Sequence, residues 1–202
     1  MSLDSPVKIK SKRQPLFHRE DRERMIACAD EDIKAAVLIA SYATIRTCEL
    51  DRACFEDINR SNSTLPVYAD AAKTGVARFI QLVPELMEGL RPYLERTGRI
   101  SPYKNLSRFW PRLAKRAGAQ WRKNDWRKAV LSHLVAFTQN FDGVAAQAGT
   151  SVKELKGTYV TGVPFEVGGA WFGLGGLGFP SVAPSLCSDE RIDPTTSSVR
   201  RA

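Results

Sequence analysis

Histidine is scarce in this chain: His18 and His133 are the only two among 202 residues. Two imidazoles with no partner spacing do not form a metal site, and they argue against a Ser-His-Asp hydrolase. The four cysteines (Cys28, Cys48, Cys54, Cys187) fit no metal spacing and make a poor disulfide framework, which points to a reducing, cytoplasmic setting. The longest apolar stretch, Ala35 to Ala43, is too short to span a bilayer. Lys8, Lys10, Lys12 and Arg13 have no apolar core behind them, so no signal peptide is expected. A G-x-x-x-x-G-K-[ST] phosphate loop is missing too. The run Gly173-Leu174-Gly175-Gly176-Leu177-Gly178 spells G-x-G-x-x-G, but Phe179-Pro180 follows it and no βαβ texture surrounds it. No metal, no cofactor and no nucleotide is therefore expected. No internal repeat is present either.

Positive charge is plentiful and concentrated. The chain has 30 Lys and Arg against 22 Asp and Glu. Nine of the basic residues and a single acid, Asp125, fall between Ser101 and Lys128, which leaves 21 of each sign elsewhere. The nine are Lys104, Arg108, Arg112, Lys115, Arg116, Arg122, Lys123, Arg127 and Lys128. Such a cluster on a folded element attracts polyphosphate, because neutralised phosphates release condensed counterions. Trp110, Trp121 and Trp126 share the segment, and the plain alternative is a solvated basic face whose tryptophans turn into the core. A membrane surface ranks below both, since no continuous amphipathic helix emerges here.

Hydrophobic spacing predicts a mainly helical α+β domain. A helix is expected to open within Arg19 to Asp30. A second is expected over Asp32 to Ile45, capped by Asp32, and a short turn over Cys48 to Arg52. Thr64 to Tyr68 and the alternating Val76 to Leu82 suit two strands of one small antiparallel sheet, with Pro66 marking an edge. Further helices are expected at Pro84 to Leu94 and at about 106–117, 125–139, 142–148 and 151–158. His133, one turn from Val130 and Phe137, suits a structural role. The domain is expected over 20–174, after a basic lead-in (1–19) and before a poorly ordered Gly/Pro/Ser-rich tail (175–202).

Several short stretches, in order, resemble the catalytic domain of the tyrosine recombinases, the family of phage-type and Xer-type integrases. Ala43-Thr44-Ile45-Arg46-Thr47-Cys48-Glu49-Leu50 resembles the box G-(L/M)-R-x-x-E-L, and Asp57-Ile58 the D-(I/V) that leads into the sheet. Lys73-Thr74-Gly75, Arg78 and Leu82 are similar to the hairpin K-T-x-x-x-R-x-(V/I)-P-L. Asn124-Asp125-Trp126-Arg127 stands where the family has H-x-x-R. Ser132-His133-Leu134 resembles (S/T)-H-L, and Gly149-Thr150-Ser151 stands at G-H-S. Tyr159 falls where the family has its nucleophile, nine positions after Thr150, itself 23 positions after Arg127. Ala170-Trp171-Phe172 loosely resembles the aromatic segment that follows the tyrosine in many integrases. Asn124, Thr150 and Thr44 depart from the family's histidine, histidine or tryptophan, and glycine.

The resemblance implies a site of Arg46, Lys73, Asn124, Arg127, Thr150 and Tyr159. Two guanidiniums, Arg46 and Arg127, match phosphate oxygens with parallel donors. The resemblance implies that Tyr159 attacks the phosphorus, that Lys73 protonates the departing 5′ oxygen and that Glu49 supports Arg46. Asn124 and Thr150 donate hydrogen bonds but do not exchange protons near neutral pH. The implied activity is site-specific recombination through a 3′-phosphotyrosyl link. Double-stranded DNA is the implied partner, held along Lys104, Arg108, Arg112, Lys115, Arg116, Arg122 and Lys123, with self-association on the DNA and no membrane. The alternatives are a degenerate domain that binds DNA without cutting it, and an inert fragment. Family members carry an N-terminal DNA-clamping domain that residues 1–19 are too few to hold. A fragment, a truncated product or a stand-alone catalytic domain is therefore expected.

Overall fold

Helix α2 (Lys34–Tyr42) is buried on most faces, and α1 (Arg19–Cys28), α4 (Pro84–Leu90) and α6 (Asp125–Thr138) pack around it. Its small residues Ala35, Ala36 and Ala40 let those neighbours approach closely. The computed structural model describes residues 17–72, 75–160 and 162–173. The tail expected over 175–202 lies outside the described residues, as does all of the lead-in except its last three positions. At Phe17 the chain is already in the core. Among the described residues no helix is long and apolar enough to cross a membrane.

The second helix is shorter than expected. Its N-cap is Ile33, with no side-chain cap bond, and Asp32 is exposed rather than capping. It stops at Tyr42 because Ala43 turns extended. The extended link over 44–46 delivers Arg46 to the N-cap of α3 (Thr47–Leu50).

Strands β1 (Thr64–Val67) and β2 (Arg78–Gln81) form the one antiparallel pair among the described residues, with Leu65 opposite Ile80 and Val67 opposite Arg78. Alternation puts Leu65, Val67, Arg78 and Ile80 on the inner face, while Phe79 stands exposed on the other. The second strand starts two residues later than Val76. It packs against α7 (Phe141–Ala148).

Helix α4 is followed by a single 3₁₀ turn, Arg91–Tyr93, which covers the region expected to be one helix to Leu94. Helix α5 (Leu106–Arg116) is capped by Asn105 and α7 by Asn140, whose side chains accept backbone N–H groups of Arg108 and Gly143. Helix α8 (Val152–Glu154) runs into a π-helical turn, Leu155–Tyr159. The tryptophans of the basic segment are core residues. Trp110 and Trp126 are buried, and with half-buried Trp121 they cluster around Phe17, whose ring meets Trp126 edge-on at 5.0 Å.

A further helix, α9 (Phe165–Trp171), lies inside the expected domain, in a Gly-rich stretch for which the sequence predicts no helix. Its glycines are packing residues: a Cβ on Gly168 would sit 2.8 Å from the Phe137 amide nitrogen and 2.9 Å from the His133 carbonyl of α6. Trp171 then enters a slot between helices. Its indole donates to the Ser41 carbonyl at 3.1 Å, the His133 ring stacks on it at 4.4 Å, and the Arg22 guanidinium lies 4.5 Å from its ring. His133 is thus a buried structural residue. Burial first, and the charge of Arg22 after it, lower its pKa to about 4 against the pull of a Val167 backbone hydrogen bond.

Candidate functional site

A helix ends with unpaired carbonyls and a partial negative charge. At the end of α7, three consecutive carbonyls each take one arginine. Arg78 donates through Nε to Gln147 at 2.9 Å, Arg127 through Nη2 to Ala148 at 2.7 Å, and Arg46 through Nη2 to Gly149. Three separate elements supply them: β2, α6 and the N-cap of α3.

Glu49 ties two of the three together. Its buried carboxylate accepts Arg46 Nη1 at 2.8 Å on one oxygen; the other accepts the Arg46 backbone N–H at 2.8 Å and Arg78 Nη2 at 2.7 Å. Burial alone would raise this carboxyl's pKa. The hydrogen bonds from Arg78 and Arg46 outweigh it and hold the group below the ordinary carboxylate value. The i, i+3 spacing of Arg46 and Glu49 in the sequence is this local loop of bonds at the helix start.

Arg127 is buried at the first turn of α6. Beyond Ala148 it donates Nη1 to the carbonyl of Thr44, in the extended link before Arg46. Burial, then the like charge of Arg46, lower its pKa to about 10, so it stays charged at neutral pH. Two cations are therefore held side by side in a partly buried place. Tyr159 completes the group: its ring centroid is 5.3 Å from the Arg127 guanidinium carbon, and the Ser132 hydroxyl fixes its backbone carbonyl at 3.0 Å. Two guanidinium nitrogens, Arg78 Nη1 and Arg127 Nε, are buried with no hydrogen-bond partner among the described residues.

Of the six residues singled out in the sequence, Arg46, Arg127 and Tyr159 come together here. Thr150 lies half-buried beside Gly149, with its N–H bonded to the Ala145 carbonyl at 3.0 Å. Asn124 sits one turn before Arg127 on α6, in the left-handed region at φ 68°, exposed and capping nothing with its side chain. Lys73 lies outside the described residues. Thr44 is buried, and its hydroxyl reaches the Gln147 carbonyl at 3.3 Å.

Sequence reasoning gave Arg78 no role, although it stands in the hairpin match. The alternation of Val76 to Leu82 places it in a strand without saying which face turns inward. The carbonyl row of α7 had no sequence signal beyond Gly149. That glycine has φ 62°, and a Cβ on it would lie 2.9 Å from the guanidinium carbon of Arg78.

The basic segment presents a separate surface. Arg108, Arg112 and Lys115 line the exposed side of α5, with Lys104 before it and Lys123 after it also exposed. Arg116 is an ion-pair partner as well, bonded to Asp30 at 2.9 Å and to the Cys28 carbonyl. Arg122 is half-buried, and its backbone N–H donates to Asp125 at 2.6 Å.

No protein-family model matches the chain, and no curated protein does. Among solved structures, the chain is similar to that of the XerA recombinase. The two share 19% identity at a TM-score of 0.62, over 75% of this chain and 61% of that one. The fold is thus α+β, mainly helical, with one small antiparallel pair, and resembles a recombinase catalytic domain.

Proposed function

We propose that this chain is a tyrosine-type DNA strand transferase, which cuts and rejoins DNA through a 3′-phosphotyrosyl link. The observation that carries the reading is the meeting of Arg46, Arg127 and Tyr159 at the end of α7. Arg46, Arg78 and Arg127 share one carboxylate, Glu49, so the cluster keeps an excess of positive charge, which a phosphodiester would neutralise. The solved recombinase of similar fold supports the same reading.

In this reading the phosphodiester lies against Arg46 and Arg127, whose hydrogen bonds strengthen as charge builds on the pentacoordinate phosphorus. Groups fixed in advance contribute several kcal/mol to such a step. Tyr159 releases its phenolic proton to solvent as Oη forms the new bond to phosphorus and the bond to the 5′ oxygen breaks. Lys73 supplies the proton that oxygen takes and is reprotonated from solvent. The bond energy is kept in the phosphotyrosine, so the reverse attack by a 5′ hydroxyl reseals the strand without ATP. DNA lies along Arg108, Arg112 and Lys115, where phosphate contacts give affinity and register. Asn124 and Thr150 place no imidazole near the phosphate. Loss of a positioned acid or base costs about 10²–10⁴-fold, so turnover is slow.

A second reading has its own observation. Asn124 is exposed and its side chain caps nothing, as suits a domain that binds DNA without cutting it. Covalent trapping separates the two. Duplexes nicked near the scissile phosphate, drawn from the ends of the native genetic element, are mixed with protein and denatured. A slow-migrating band that is lost in Tyr159→Phe supports strand transfer. Salt-sensitive DNA binding with no band supports the second reading.

A further inference from the structure

Arg78 is the arginine for which the proposed chemistry has no use, yet it links three parts of the site and is more enclosed than Arg46. Its side chain is 8% exposed, against 15% for Arg46. It projects from the inner face of the β-hairpin, crosses to Glu49 and ends at α7. It shares the Glu49 oxygen that also accepts the Arg46 backbone N–H. Its Nε holds the Gln147 carbonyl, two residues before the carbonyl that accepts Arg46. Both anchors of Arg46 within the protein, Glu49 and the end of α7, are thus also anchors of Arg78.

We infer that Arg78 is a positioning residue that sets the place of Arg46 by fixing Glu49 and the α7 terminus together. The inference rests on the reading of Arg46 as a phosphate ligand only for its consequence, not for its geometry. A hydrogen-bonded carboxylate with one cation on each oxygen holds a narrow orientation. With Arg78 removed, one oxygen keeps only a backbone N–H and the carboxylate can rotate about its last bond. The Gln147 carbonyl then retains only the long bond from Thr44. Arg46 keeps its charge but loses a fixed direction. Lysine cannot repair this, because a single ammonium lacks the planar fork that reaches two partners at once.

Side-chain ¹H–¹⁵N NMR of the arginine Nε–H groups tests it in the full chain, using wild type, Arg78→Gln and Arg78→Lys. Inorganic phosphate is the probe ligand. The expected result is that the Arg46 Nε–H resonance shifts and broadens in both variants, while backbone resonances of α1, α4 and α5 stay in place. Phosphate affinity should fall about tenfold, with Arg78→Lys no better than halfway restored. An Arg46 resonance unchanged in both folded variants overturns the inference. So does full recovery of phosphate affinity by Arg78→Lys, because charge alone would then suffice. Should Arg78→Gln fail to fold, the lysine variant carries both readouts. If wild type shows no response of Arg46 to phosphate, the proposed function loses its support. A displaced Arg46 signal in the variants still upholds the positioning role in that case.

Discussion

The guanidinium of Arg127 and the ring of Tyr159 face each other, with 5.3 Å between the guanidinium carbon and the ring centroid. The contact joins α6 to the π-helical turn that ends at Tyr159. The aromatic face makes this contact, and the phenolic oxygen adds a side-chain hydrogen bond with Arg127. Tyr159→Phe keeps the ring contact and loses this one hydrogen bond, so it should fold with a stability loss of about 0.5–1.5 kcal/mol. It should bind duplex DNA unchanged and form no covalent adduct. Urea unfolding, a salt-dependent binding curve and the trapping gel check the three parts. An adduct in the Phe variant would remove Tyr159 from the mechanism.

Arg127 should behave differently, because its bonds hold the fold as well as the site. Arg127→Met leaves the carbonyls of Thr44 and Ala148 without their arginine. Buried acceptors left unpaired cost about 1–3 kcal/mol each. Relief of the repulsion with Arg46 offsets part of that. A net loss of about 2 kcal/mol is expected in urea unfolding, together with complete loss of adduct. An equally stable variant would mean that water or a rearranged side chain takes over both carbonyls.

The exposed side of α5 gives a test of the DNA surface that does not involve the chemistry. Replacing Arg108, Arg112 and Lys115 together by Gln should leave folding intact, since all three are exposed. Each phosphate that is no longer neutralised lowers the slope of log K against log salt by about 0.9, so a flattening by about 2–3 is expected if all three side chains meet DNA. Arg116 is the wrong residue for this test, because its pair with Asp30 mixes a structural effect into the result. An unchanged slope would move the interface elsewhere.

Protonation of His133 links pH to stability. Its pKa is lowered to about 4 in the fold, from 6.5 in the unfolded chain. The groups that face it are Trp171, the Val167 backbone and the Arg22 charge. Above pH 6.5 both states hold it neutral and its contribution is fully present. As pH falls from 6.5 towards 4 the unfolded chain takes up the proton and the native one does not. Stability should drop by about 1.4 kcal/mol per pH unit, or about 3 kcal/mol across the window. Asp51 and Asp125, both raised by burial, act in the opposite direction near the lower end. Comparing wild type with His133→Phe from about pH 7 to about pH 4 isolates the histidine. The stability of wild type relative to the variant should fall by about 3 kcal/mol as pH falls, and parallel profiles would show that His133 does not titrate in this way.

Much of this fold is legible in the residues. The 3.6-residue spacing marks α2, α6 and α7, and alternation marks the hairpin. Arg46, Glu49, Arg127 and Tyr159 stand out through the resemblance to the recombinase boxes. What stays hidden is decided by tertiary contact. Gly168 and Gly169 read as loop by propensity, but they sit in a helix because a Cβ on Gly168 would strike the backbone of α6. Asp32 is a good cap in isolation, yet α2 begins at Lys34 with Ile33 buried at its N-cap. The tryptophans of the basic segment carry no label saying which way they point; only the cluster around Phe17 shows that they face inward. Arg78 belongs to the same class, since its role depends on Glu49 and α7, 29 and 69 residues away.

Gly149 is where backbone strain and side-chain crowding can be separated. Gly149 and Gly118 both have φ 62°, so alanine bears the left-handed cost at either position, about 1 kcal/mol. Around Gly118 no heavy atom lies within 4 Å of the added Cβ, whereas at Gly149 the Cβ would come 2.9 Å from both the Nε and the guanidinium carbon of Arg78. The guanidinium there cannot swing freely, because Glu49 and the Gln147 carbonyl hold it on two sides. Gly118→Ala should therefore lose about 1 kcal/mol in urea unfolding and keep wild-type phosphate affinity and adduct yield. Gly149→Ala should lose more, by about a further 1–3 kcal/mol for the forced shift, and should lose phosphate affinity with it. Equal losses in the two variants would show that Arg78 moves aside at no cost, and would weaken the case that Arg78 is held tightly enough to position anything.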